Sequence, residues 1–151
     1  MHALKQALFL NLFLGLIFAL VACTPEEPRL EITDVWARSS APTALNSAFY
    51  MIISNEGSEP DALVAAASNA CGEIQLHESE VDDQGVMTMR QQSEINIPTN
   101  STVVLQVGGL HLMCLDRQID FVSGDTVPLT LHFETSGESE VLAEIRDERD
   151  S

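Results

Sequence analysis

Lysine occurs once in these 151 residues, at Lys5, against 23 acidic residues and a formal net charge of −16. Nucleic acid is a poor partner for such a chain, because binding phosphates draws on clustered lysine and arginine. A glycine-rich phosphate loop, a nucleophile elbow and a zinc-type Cys-x-x-Cys pair are also missing. No nucleophile, base and orienting group line up, so an enzyme is not expected. Hardly any segment holds a helical period, and there is no internal repeat or low-complexity stretch. The acidity itself has two readings: it draws cations to the surface, or it serves solubility.

One long apolar run is present, from Ala7 to Ala22, behind Lys5 and ending at Cys23. It reads as a secretion signal, although its length raises the alternative of a retained membrane helix. Leu20-Val21-Ala22-Cys23 resembles the bacterial lipobox, in which the signal is cut before the cysteine and that cysteine is acylated. On this reading residues 1–22 are the signal, 23–29 the acylated Cys23 and a polar tether, 30–147 a single β domain, and 148–151 a frayed tail. Thr24 after the cysteine resembles the pattern sorted to the outer membrane of Gram-negative bacteria, so the chain is expected in the periplasm, anchored there by lipid. Cutting 22 of 151 residues leaves 129, enough for one core and too few for two. The cut also removes Lys5 and moves the formal net charge from −16 to −17.

The remainder is a series of short strand candidates: 30–37, 47–55, 61–68, 72–78, 86–91, 101–107, 110–115, 126–134 and 140–146. Turn clusters such as SSAPT, NEGSEP, DDQG, IPTN, GG, SGD and TSGES separate them. The alanine-rich 61–68 could instead be a helix. Strands at this spacing predict an all-β sandwich or barrel. Within 126–133, Val127, Leu129, Leu131 and Phe133 share one face, which leaves His132 on the solvated side. His77 and His111 are then the candidate ligands. His111 and Met113 project together, opposite Leu110, Leu112 and Cys114, while His77 shares a face with Glu73 and Gln75. Imidazole and thioether form a soft donor set suited to a soft metal.

His77, Met89, His111 and Met113 together resemble the motif of the periplasmic copper chaperones of the PCuAC type: His, ten residues, Met, twenty-one residues, His-x-Met. The likeness extends over VWAR, SAFYMIISN, IQLHE, GVMTMR, INIP, GGLHLM, the SGD turn and LTLHFE. Here eleven residues separate His77 from Met89, and twenty-one separate Met89 from His111; an insertion in VDDQG would account for the extra one. The resemblance implies a cupredoxin-like Greek-key β domain that binds Cu(I) through these four residues. It further implies delivery to the copper centre of an apo cytochrome oxidase domain, or to a thiol-bearing copper assembly protein. The domain is expected to be monomeric. A lipoprotein that buffers copper without delivering it, and an electron-transfer cupredoxin, are the alternatives.

Finer expectations concern the cysteines and the hairpin. Cys71 and Cys114, alone in the mature domain, are expected to pair in an oxidising compartment, although strand parity sets them on opposite faces. Two buried free thiols, or a Cys114 that assists with metal, are the other readings. The 77–89 hairpin is expected to place His77 directly across from Met89, with paired residues summing to 166. Met87, on the same face but nearer the tip, could then act as a substitute ligand.

Overall fold

The apolar positions of each strand have to be covered, and here a single long sheet covers them by folding over on itself. A computed structural model describes residues 28–147; the signal, Cys23 and residues 148–151 lie outside the described residues. Ten strands form: β1 Leu30–Arg38, β2 Ser47–Asn55, β3 Asp61–Ala67, β4 Cys71–Val81, β5 Met87–Gln91, β6 Ile95–Ile97, β7 Ser101–Leu105, β8 Leu110–Arg117, β9 Thr126–Phe133 and β10 Gly137–Arg146. Their order is β5-β4-β8-β2-β1-β10-β9-β3-β6, with β7 also paired to β2. One buried cluster takes side chains from every strand except β5, among them Phe49, Met51, Leu63, Leu112, Leu129 and Ile145. This is the all-β, cupredoxin-like architecture that the strand spacing and the family resemblance predict. Among the described residues no helix is long and apolar enough to cross a membrane.

Residues 61–67 form the strand expected there and not the alternative helix, because Ala62 and Leu63 are buried between partners on both sides, β6 and β9. One element differs from the sequence reading: β6 is absent from the strand candidates and its last residue, Ile97, falls in the turn cluster IPTN, yet Ile95 and Ile97 both enter the core. The alternation of β9 is as expected, with Val127, Leu129, Leu131 and Phe133 buried and His132 half-buried beside Glu138.

A bulge interrupts β1. The register with β2 shifts by one between Thr33 and Trp36, where Asp34 takes a left-handed φ of 48°. Before the bulge Ile32 packs on the core; after it Ala37 does, so the extra residue turns Trp36 to the outer face. The Arg146 guanidinium reaches Asp34 at 2.6 Å and ties the bulge to β10.

At the far end, the Asp61 carboxylate accepts hydrogen bonds from the backbone N–H groups of Ala62, Thr135 and Ser136 at 2.8, 2.9 and 3.0 Å. Burial alone would raise its pKa, but the Ser136 side chain and these N–H groups outweigh burial and hold it below the ordinary carboxylate value. Asp61 thereby fastens the β9–β10 turn to β3 as an anion.

Candidate metal centre

On the outer face of β1, β2, β8 and β4 the pairing lines up a row of rings. Trp36 lies across from Tyr50, and His111 across from His77. Ring centroids are 4.4 Å apart for Trp36 and Tyr50, 6.3 Å for Tyr50 and His111, and 5.8 Å for His111 and His77. Met113 sits one step to one side of this row, opposite Gln75 on β4 and Ala48 on β2. Met89 sits one step to the other side, opposite Ser79. The two thioethers thus flank the two imidazoles.

A cavity of about 450 Å³ opens here, lined by His111, Met113, Met89 and Met87, with Tyr50 and Ala48 among its apolar neighbours. No carboxylate lines it, in a chain of net charge −16. Among the described residues no group of three His, Cys, Asp or Glu converges, so the donors that cluster here are imidazole and thioether, with Arg38 as the one charged side chain on the lining. Its far wall includes Ser39, Ser40, Asn46 and Ser47. The Arg117 guanidinium holds that loop by donating to Ala44 O, Ser40 Oγ, Ala41 O and Pro42 O. Sequence reasoning missed Arg117 and Tyr50, because neither carries a signal until distant strands are paired, while Gln75 is legible only as a residue on the same face as His77.

His77 is the one of the four expected ligands that does not line the cavity. Its Nε2 lies 3.0 Å from Gln75 Oε1, and its Nδ1 is buried with no hydrogen-bond partner. Burial, then the neighbouring charge of His111, keeps its pKa below the ordinary histidine value. His111 is itself buried, at 5% exposure, with Nδ1 2.9 Å from Gly109 O.

The hairpin register differs from the expected one. Paired residues sum to 168, so His77 faces Gln91 and Met89 faces Ser79. The cause is the turn: Asp82 N donates to Val86 O and Gly85, at φ 79°, closes onto Asp82 O, which adds a pair beyond Val81 and Met87. Met89 stays on the ligand side, one step from the histidine row, and Met87 is two steps away. Both are exposed, at 56% and 58%, since β5 is held by β4 alone.

Cys71 and Cys114 are joined, with Cα atoms 5.5 Å apart. Cys114 faces the core and Cys71 joins it there against strict parity, at a distortion where Asp116 has φ 50° and packs its side chain onto Gly72. Among the described residues no thiolate therefore reaches the cavity, and the electron-transfer arrangement of a blue-copper centre has no sulfur anion there to use.

The family described as "Putative lipoprotein LpqE-like" matches residues 30–145. "Putative lipoprotein Lxx21020" of Leifsonia xyli subsp. xyli is 30% identical over 119 residues, covering 78% of this chain and 70% of that one. The apo PCuAC domain from PmoF1 superposes with a TM-score of 0.68 at 27% identity, covering 81% of this chain and 98% of that one. The copper-bound PCuAC domain from PmoF2 gives 0.69 at 23% identity over 82% and 99%. The CuI form of DR1885 from Deinococcus radiodurans gives 0.59 at 24% over 89% and 87%. With the family model spanning nearly all of the described residues and the fold shared with these domains, this chain belongs to the LpqE-like lipoprotein family and has the PCuAC fold.

Proposed function

We propose that this chain is a copper metallochaperone on the periplasmic side of a membrane, which holds one Cu(I) with His77, Met89, His111 and Met113 and passes it on. The observation that carries this reading is the buried, unpartnered Nδ1 of His77 beside a second imidazole. A buried polar atom without a hydrogen bond costs roughly 1–3 kcal/mol, which a metal bond would offset. Thioether and neutral imidazole suit Cu(I), and neither adds charge. The two superposed domains named for their bound copper support the same cargo. Acceptance by a stronger-binding partner, an apo cytochrome oxidase copper centre or a thiol-bearing assembly protein, fits a site in which one methionine, Met89, sits on an exposed strand.

Titrating the purified protein with Cu(I) against a competing chelator should give one bound equivalent. Transfer to an apo oxidase copper domain should follow on mixing. No binding overturns the reading; binding without transfer supports a buffering lipoprotein instead. Protons compete for the imidazole lone pairs, so retention should fall as pH drops through the histidine range, later for His77 because its pKa is depressed. The lipoprotein family supports a lipid on Cys23 and a membrane-anchored place in the envelope, with the outer membrane as the proposed location. Cys23→Ser should abolish membrane partitioning; unchanged partitioning would refute the anchor.

A further inference from the structure

Three alternate residues of β4 form a chain on the ligand face. Gln75 Nε2 donates to Glu73 Oε1 at 2.8 Å, and Gln75 Oε1 lies 3.0 Å from His77 Nε2. A carboxylate can only accept, so the Gln75 amide must turn its NH2 to Glu73 and its oxygen to His77. That oxygen in turn can only accept, so His77 Nε2 must carry the proton. The lone pair of His77 is left on Nδ1, the atom that is buried and without a partner.

His111 is fixed in the opposite sense. Its Nδ1 lies 2.9 Å from the Gly109 carbonyl, which also accepts only, so Nδ1 carries the proton and Nε2 the lone pair. Gly109 is itself held in the β7–β8 turn, where its N–H donates to Gln106 O and its carbonyl takes Ser79 N–H at 3.0 Å. One imidazole is therefore oriented by side chains and the other by backbone.

We infer that Gln75, backed by Glu73, is a positioning residue that sets the tautomer of His77, so that the metal is bound by Nδ1 of His77 and Nε2 of His111. The metal half of this inference rests on the proposed copper function; the tautomer half does not. Such outer partners raise the basicity of a ligating histidine and fix its ring, and losing one typically weakens metal binding by about 10–100-fold. Gln75 also lies opposite Met113, so its substitution must keep its bulk. Gln75→Leu does so while removing the acceptor, and Gln75→Glu keeps an acceptor for Nε2–H.

The test is nitrogen NMR of the full chain with 15N-labelled histidine, in detergent at about pH 8, before and after one equivalent of Cu(I). Without metal, wild type should show His77 protonated at Nε2 and bare at Nδ1, and His111 the reverse. Cu(I) should shift Nδ1 of His77 and Nε2 of His111. Gln75→Leu should mix the His77 tautomers and weaken Cu(I) binding about 10–100-fold, whereas Gln75→Glu should retain the wild-type tautomer. A wild-type His77 protonated at Nδ1, or an unchanged tautomer in Gln75→Leu, overturns the inference. Cu(I) bound through His77 Nε2 overturns its metal half and leaves the copper function standing. If Cu(I) fails to bind, the function falls, while the metal-free spectrum still decides the role of Gln75.

Discussion

Cu(I) affinity should fall most in His111→Ala, by more than about 100-fold, next in Met89→Leu, by about 10–100-fold, and least in Met87→Leu, by within about threefold. The ranking follows from position. His111 is buried at the centre of the site, between Tyr50 and His77, and offers a nitrogen whose orientation the backbone already fixes. Removing it deletes a donor outright, which exceeds the effect of losing an outer hydrogen bond. Met89 is one step from the histidine row and Met87 two, on a strand where both side chains reach solvent. Leucine keeps the volume and removes only the sulfur, so neither methionine variant should unfold the domain. Chelator competition on the three folded variants measures the order directly. A larger loss in Met87→Leu than in Met89→Leu would show that the hairpin presents the other sulfur to the metal.

Replacing Cys71 and Cys114 together by alanine should lower stability by about 4 kcal/mol, the loop-closure estimate for a sequence separation of 43. For a domain of this size that corresponds to a drop in Tm of roughly 10–20 °C. The bridge ties the start of β4 to the core beneath β8, the same two strands that carry His77 and His111. Because the cysteines face the core and the proposed ligands face outward, the variant should still bind Cu(I) at temperatures where it is folded. Thermal unfolding with and without reductant, compared with the double variant, checks the size of the effect. Reduction without any change in Tm would place the thiols unpaired in the native protein.

Much of the site can be read along single strands, because alternation is a local property of the extended backbone. That Leu112 and Cys114 go inward while His111 and Met113 go outward needs only the sequence LHLMC. The same holds for His77 with Glu73 and Gln75, and for His132 being left on the wetter side of β9. The soft character of the donors is equally local, since residue type alone decides it. What alternation cannot carry is any event that breaks the period. The bulge at Asp34 turns Trp36 outward and so completes the ring row; LEITDVWA loses its alternation at Thr33-Asp34, but with Val35, Trp36 and Ala37 all apolar it does not say which of them faces out. Cys71 enters the core against its parity for a similar reason, beside the distortion at Asp116.

Pairing between strands was also beyond local reading. The 77–89 hairpin could close in more than one register, and the choice was made by the turn around Gly85 and by Ser79 and His77 being held on their other side by β8 and the turn before it. Three residues at 95–97 became a strand only because β3 offered an edge that Ile95 and Ile97 could cover. The sequence by itself thus determined every strand but β6, their faces away from the breaks at Asp34 and Asp116, and the donor chemistry, all properties of neighbours in the chain. Only the tertiary structure decided that His77 lies across from His111 and that Arg117 holds the cavity wall, because each of those arrangements depends on segments brought together by long-range pairing.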